Sequence, residues 1–399
     1  MQKTAHSVII PKGFSLATAS AGFKAAGRQD VALAVSEAPA TVAALFTTNL
    51  FQAAPVQVGQ KRVREKALAR AVLVNAGNAN ACTGEEGITN CIATTELVAA
   101  ATGLSANDIL PASTGVIGVQ FPMKLWEGVA PDLAKGLGKA GPEDFARAIM
   151  TSDAFPKLAG EQISLGGGVV TVAGFAKGAG MICPNMATMI SVVLCDAAVA
   201  EEDWHALFER AVGATFNRAT VDGDTSTNDT VYALANGASN IVAKGDDLTL
   251  LEAAVTRILA SLAYMLVQDG EGATKVMHIT VKGAKTNGEA ELAARAVGHS
   301  QLVKTAMYGK DANWGRIVAA LGRCGVPFAP EDVRVSLCGV ELFKDGRPSS
   351  LDFDALLKEP LEQQDLPLDI SLGDGPGHYT LLASDLTHEY VNINASYRS

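Results

Sequence analysis

The stretch KGAGMICPNMATM, residues 177–189, runs directly into ISVVLCDA and sets one threonine, Thr188, at the mouth of an apolar strand. A threonine there satisfies β-propensity and needs no further role. It also has a chemical use. If the Ala187–Thr188 peptide bond is cut, Thr188 gains a free α-amine, a group that titrates near pH ~8. Such an amine can take the hydroxyl proton within its own residue, so the oxygen attacks a carbonyl without a histidine. Gly178, Gly180 and Pro184, just ahead, permit the tight loop that self-cleavage needs. From spacing alone, an ordinary strand start and a self-released nucleophile both stay open.

A nucleophile of this kind needs donors for the oxyanion it creates. ILPASTGVIG, residues 109–118, ends a short apolar run in Ser113-Thr114-Gly115, a turn able to offer a backbone N–H beside a hydroxyl. The same residues also read as a simple turn or cap. TVDGDTSTNDT, residues 220–230, is the third polar cluster. Its Asp222-Gly223-Asp224-Thr225 resembles the D-x-D-x-T opening of haloacid-dehalogenase-type phosphatases, which use the first aspartate as nucleophile and bind magnesium. The lead-in FNRATV is polar, however, where that family has a hydrophobic strand. A calcium loop of EF-hand type fails as well, with Thr227 at position six and Ala233 at position twelve. What remains is a turn hydrogen-bonded by its own Asx and Thr side chains. Lys177 and Glu271 sit on loops, where charges are usually solvated.

Other chemistries lack support. The sequence has no G-x-G-x-x-G and no G-x-x-x-x-G-K-[ST], so no nucleotide cradle is indicated. Its six cysteines form no C-x-x-C pair and its six histidines no H-x-H, so neither a metal site nor a disulfide framework is expected. The thiols read as reduced, which suits a cytoplasmic protein. A net charge of −10 without any long basic run argues against nucleic acid as partner. MQKTAHSVIIPKGF lacks the apolar core of a signal peptide. The longest apolar helical candidate, residues 250–267, is interrupted by Glu252 and Arg257, and no membrane span is expected.

The elements that must hold these residues alternate between strand and helix, which defines an α/β class. AVLVN, residues 71–75, reads as a buried strand. Thr83 and Glu86 have capping-box spacing ahead of a helical face of Ile88, Cys91, Ile92, Thr95 and Val98. Thr249 and Glu252 have the same spacing ahead of Leu251, Val255, Ile258, Leu259, Leu262 and Leu266. Trp204, Leu207, Phe208, Ala211 and Val212 mark another amphipathic helix. Residues 163–165 pair through Gly166-Gly167-Gly168 with residues 169–176, a hairpin that delivers Lys177 to a loop. In the strand after Thr188, Ile190, Val192 and Leu194 point one way and Ser191, Val193 and Cys195 the other, as in an interior strand. Met277, Ile279 and Val281 alternate in a further strand, and a boundary is expected near residue 280.

KGAGMICPNMATM resembles the autoprocessing segment of the glutamate N-acetyltransferase (ornithine acetyltransferase) family of arginine biosynthesis. PKGF (residues 11–14), LFTTN (45–49), AAPV (53–56) and VLVNAGNANACTG (72–84) resemble its N-terminal half. PASTGVIG, DGDTSTND, QDGEGATK, VKTAMYGKDANWGRI and the closing NINASYRS continue the likeness over essentially the full chain. Two departures are visible. Ala312 in DANWGR stands where the family usually has proline, and Ser399 ends the chain where threonine is commoner.

The resemblance implies self-cleavage between Ala187 and Thr188, giving an α chain of residues 1–187 and a β chain of 188–399. Residues 188–280 would begin the β chain with the nucleophile strand and a substrate helix, and 281–399 would form a C-terminal α/β domain closing the site. It implies that Thr188 takes acetyl from N2-acetylornithine, releases ornithine, and passes the acetyl to glutamate in a ping-pong cycle. Thr114 and Gly115 match the oxyanion hole. Thr151, Lys177, Thr188, Glu271, Asn394 and Ser399 match the substrate contacts. The implied fold is a layered α/β sandwich of DmpA/ornithine-acetyltransferase type with a smaller C-terminal α/β domain, assembled as a heterotetramer of two αβ pairs. No cofactor is expected, with acetyl-CoA left open as a further donor. The rival readings are a DmpA-like self-processing aminopeptidase with water as acceptor, an unprocessed binding protein, and the magnesium phosphatase.

Overall fold

The computed structural model describes residues 8–24, 27–183 and 189–396; Ala187, Thr188 and Ser399, three residues singled out above, lie outside the described residues. In chain order the first strands are β1 (Phe14–Ala19), β2 (Val31–Phe46), β3 (Leu68–Asn78), β4 (Ile109–Val116), β5 (Lys157–Leu165), β6 (Gly168–Lys177), β7 (Ile190–Cys195), β8 (Ala219–Thr220) and β9 (Thr230–Ala235). The helices between and after them are α1 (Ala54–Glu65), α2 (Gly84–Thr102), α3 (Met123–Gly136), α4 (Pro142–Ala148), α5 (Glu201–Ala214) and α6 (Asp246–Gln268).

One hydrogen-bonded sheet runs β4-β3-β2-β9-β7-β6-β5, with β1 added antiparallel to β2. The long strand β2 serves both halves. Its first part pairs with β3 and, after a register break between Val35 and Ala40, its second part pairs with β9 from Thr41 to Phe46. Side-chain alternation then sorts the layers. Leu16, Ala32, Ala34, Val72, Val74 and Leu110 from one half meet Phe175, Ile190, Val192, Leu194, Tyr232 and Leu234 from the other in a common core. The neighbours in sequence turn outward. Ala17, Leu33, Leu73 and Ile109 pack under α2 and α3, through Val98, Trp126 and Leu133. Val193, Cys195, Val231 and Ala233 pack under α5 and α6, through Trp204, Phe208, Leu251 and Leu259. The order is helix, sheet, sheet, helix: a layered α/β sandwich. The two expected faces of β7 are the two faces found.

The α6 stripe of Leu251, Val255, Ile258, Leu259, Leu262 and Leu266 is buried as its spacing requires. By length and composition this helix could cross a membrane, contrary to the expectation drawn from its interrupting charges. Here it is a core helix, and those charges lie on its outer side, Glu252 paired with Arg210 at 2.6 Å and Arg257 with Glu161 at 2.7 Å. The two expected capping boxes are absent. The helix α6 starts at Asp246, ahead of Thr249, and Asp247 in its first turn accepts the Gly166 N–H of the β5–β6 hairpin at 2.9 Å. At α2 the Thr83 hydroxyl turns back to Asn80 Oδ1 at 2.7 Å instead of capping the helix. The α2 face also shifts, with Cys91, Thr94, Thr95 and Val98 buried and Ile92 exposed. The β5–β6 hairpin is present and longer than expected, with Leu165 opposite Gly168.

The remaining elements are β10 (Val276–Gly283), β11 (Arg334–Leu337), β12 (Val340–Lys344), β13 (Arg347–Pro348), β14 (Asp365–Ser371) and β15 (Gly375–Ser384), with helices α7 (Asn287–Gly298), α8 (Gln301–Tyr308), α9 (Trp314–Gly322), α10 (Phe353–Leu357) and α11 (His388–Ser396). They build a second sheet, β13-β12-β11-β14-β10-β15-β8, around its own core. β10 spans position 280, and β8 is drawn out of the preceding segment to pair parallel with β15 through Ala219 and Thr220. That pairing ties the segment 220–230 to the second sheet while its other end enters β9 of the first. Helix α11 then returns to the same place.

Candidate active site

The pocket lies where the ends of β4, β6, β7 and the segment before β9 converge, and it is closed by the turn after α6 and by α11. Thr114, Gly115, Thr151, Lys177, Glu271 and Asn394 all line it. Those are the six described residues among the sequence-derived candidates, gathered from positions far apart in the chain. Met189, the residue bonded to Thr188, lines the same pocket.

The β4 end is shaped by glycine. Gly115 has φ +136°, and a Cβ there would sit 2.2 Å from the Gly77 carbonyl carbon and 2.5 Å from Asn78 N. Only glycine lets β4 lie this close to the register break at the end of β3. Asn228 locks the turn from behind, its side-chain amide donating to Ala79 O at 2.6 Å and Ser113 O at 2.8 Å. Beside Gly115, Thr114 Oγ1 accepts from Lys177 Nζ at 3.2 Å.

Lys177 ends β6 and is 7% exposed. Burial lowers its pKa most, with Lys157 acting the same way, against the opposite pull of Asp153, Asp229 and Glu271. Burial thus disfavours its charged form, and an anion brought beside it favours that form. Its backbone is fixed by a buried ion network that sequence reasoning missed. Asp153 accepts from Gly178 N at 2.6 Å, from Thr151 N at 2.8 Å and from Lys157 Nζ at 2.7 Å. Lys157, fully buried, reaches on to Asp269 at the end of α6. Burial pushes Asp153 up, but Lys177, Lys157 and the Gly178 N–H outweigh it and hold the carboxyl well below the usual range. Thr151 and Lys177 thus share one anchor.

Glu271 follows the end of α6 and is 9% exposed. Its N–H donates to Ala179 O at 2.9 Å, and its Oε2 accepts from Asn394 Nδ2 at 2.8 Å. Gly180 makes room for it, since a Cβ at Gly180 would lie 2.4–2.6 Å from the three carboxylate atoms. One cavity therefore carries an ammonium from Lys177 and a carboxylate from Glu271, a pairing suited to a small molecule with charges of both signs. Asp229 is a second missed residue. It is 2% exposed, burial raises its pKa well above the usual carboxylate value, and among the described residues its Oδ2 has no hydrogen-bond partner. Lys157 four residues after Asp153 was a visible hint; nothing local pointed to Asp269, and Asn228 and Asp229 lay inside a motif readable as a plain turn.

Fold and pocket define a class: a layered α/β enzyme whose small-molecule site pairs opposite charges beside a glycine-opened strand end. The family model of ArgJ matches residues 15–399, and the chain belongs to the ArgJ family. It is 63% identical to the arginine biosynthesis bifunctional protein ArgJ of Nitratidesulfovibrio vulgaris, over 98% of this chain and 99% of that one. The protein of the same name from Geobacter sulfurreducens is 45% identical, over 97% and 99% of the two chains. Among solved structures, the crystal structure of arginine biosynthesis bifunctional protein ArgJ from Bacillus halodurans has 35% identity and a TM-score of 0.50, over 53% of this chain and 100% of that chain.

Proposed function

We propose that the chain cuts itself between Ala187 and Thr188, and that Thr188 then carries acetyl from N2-acetylornithine to glutamate. The observation that carries this reading is the convergence of Thr114, Gly115, Thr151, Lys177, Glu271 and Asn394 on one pocket that also contains Met189. Family membership and the relatives' role in arginine biosynthesis support it.

In the self-cleavage step Thr188 Oγ attacks the Ala187 carbonyl carbon, the C–N bond breaks, and the nitrogen takes a proton to become the free amine. Water then hydrolyses the Ala187 ester and frees the hydroxyl. In catalysis that amine accepts the Oγ proton as Oγ attacks the acetyl carbonyl of acetylornithine. Thr114 and Gly115 receive the developing oxyanion. The acetyl–nitrogen bond breaks, the amine's proton goes to the leaving ornithine nitrogen, and an acetyl ester remains on Thr188. The amine of glutamate attacks this ester by the reverse sequence. Lys177 holds a substrate carboxylate, Glu271 with Asn394 holds the ornithine ammonium, and Thr151 and Ser399 complete the contacts. Because both half-reactions pass through one ester, one oxyanion hole serves both.

The relatives' name, bifunctional, favours a second acetyl donor, for which acetyl-CoA is the expected compound. Two αβ pairs in the cytoplasm remain the expected assembly and setting, and six free thiols suit a reducing compartment. The test is acetyl transfer from labelled acetylornithine. Label recovered in acetylglutamate, with little free acetate, supports the transferase; label recovered mainly as acetate supports the rival hydrolase.

A further inference from the structure

Beyond Asn228 and Asp229, the segment 220–230 has no part in the chemistry above, yet it holds residues on both flanks of 184–188. On the N-terminal flank, the Asp222 carboxylate accepts Met181 N–H at 2.6 Å and Ile182 N–H at 2.9 Å. Val221 N and Thr220 Oγ1 both donate to Ile182 O, at 2.6 and 3.2 Å, and Thr225 Oγ1 donates to Cys183 O at 3.1 Å. On the C-terminal flank, Thr230 N donates to Met189 O at 2.9 Å. The same segment sends Asn228 to the back of the Thr114–Gly115 turn.

Met181 needs this support. Its φ is +55°, a left-handed conformation that is strained for a residue with a Cβ. An amide that donates to a half-buried carboxylate offsets such a cost. The carboxylate is itself held, by Asp224 N at 3.2 Å and by the Tyr390 hydroxyl of α11 at 3.3 Å. Buried Lys304 fixes the adjoining Val221 carbonyl at 2.6 Å. Asp222 is not among the residues that line the pocket, whereas Met181, which it holds, is.

We infer that Asp222 is a positioning residue for self-cleavage, setting the backbone ahead of the scissile bond against the oxyanion turn, and that it is dispensable for acetyl transfer once the chain is cut. This rests on the self-cleavage reading above.

The test follows full-length precursor made by cell-free translation, with intact mass read at intervals for wild type, Asp222→Asn, Thr225→Val and the exposed control Asp224→Asn. Losing an acceptor charge should slow cutting of Asp222→Asn by roughly 10- to 100-fold, and losing a neutral bond should slow Thr225→Val by roughly 2- to 10-fold. Asp224→Asn should cut at the wild-type rate. Once cut, Asp222→Asn should show wild-type KM and kcat per cleaved chain. Thermal unfolding of each precursor separates slow cutting from poor folding, and Thr225→Val carries the test if Asp222→Asn unfolds. Wild-type cutting rates in both Asp222→Asn and Thr225→Val overturn the proposal, as does an equal loss of transfer per cleaved chain. An uncut wild type instead removes the self-cleavage reading, and the proposal with it.

Discussion

Gly180→Ala adds one methyl group and addresses the ammonium end of the pocket. Gly180 has no positive φ, so alanine fits its backbone; what the new Cβ meets is the Glu271 carboxylate, at 2.4, 2.5 and 2.6 Å from Oε2, Cδ and Oε1. Ordinary contact needs at least about 3.4 Å, so the carboxylate must retreat by roughly 1 Å. The Glu271 backbone is tied to Ala179 O, so the side chain rather than the chain path has to move. That motion breaks the 2.8 Å bond from Asn394 and carries the charge away from a bound ammonium. A hydrogen bond to a charged group contributes about 1.5–3 kcal/mol, which corresponds to roughly 10- to 150-fold. The loss should appear in KM for acetylornithine, measured on fully cleaved enzyme, with a smaller change in kcat. Glu271→Gln should reproduce it without adding bulk. An unchanged KM in both variants would place the ornithine ammonium elsewhere and refute the assignment of Glu271.

Three further outcomes follow from the same geometry. Gly115→Ala forces β4 away from Gly77 and should cut turnover by roughly 100- to 1,000-fold in cleaved enzyme, read as kcat; near-normal turnover removes Gly115 from the oxyanion site. Lys157→Met leaves Asp153 and Asp269 buried without their shared cation and should cost about 3–5 kcal/mol in urea unfolding, whereas a loss below about 1 kcal/mol contradicts the network's role. Burial, with Arg295, Lys304 and Arg323 nearby, holds His299 down at about 4. The unfolded chain, with a pKa near ~6.5, then binds more protons between pH 6.5 and 4, so stability falls as pH drops through that window. His299→Asn should shrink this loss by about 1–3 kcal/mol, and an unchanged pH profile of unfolding contradicts the assignment.

Sequence patterns reveal what is local here. The alternation of Ile190, Val192 and Leu194 against Val193 and Cys195 identified an interior strand, because a strand buried on both faces has no polar side to show. It could not say that one face meets the other half of the same sheet and the other meets α5 and α6; that depends on the register break in β2. The capping boxes failed for a related reason. Thr83 and Thr249 had the right spacing, but the Thr83 hydroxyl goes to Asn80 and α6 already begins at Asp246, which leaves Thr249 inside the helix. The site residues came from motif likeness rather than from local physics. Lys177 alone reads as a surface charge, and its burial beside Asp153, Lys157 and Asp269 emerges only when β5, β6 and the end of α6 meet. Residues 220–230 show the limit best. As a string they are a polar turn; in the fold they join two sheets and grip both sides of the expected cleavage point.

The most direct measurement is the intact mass of purified wild-type protein beside Thr188→Ala. Two wild-type fragments, one ending at Ala187 and one starting at Thr188, with a single uncut mutant chain, is the predicted result. A single intact wild-type chain would contradict the account, because Thr188 would lack the amine that makes it a nucleophile.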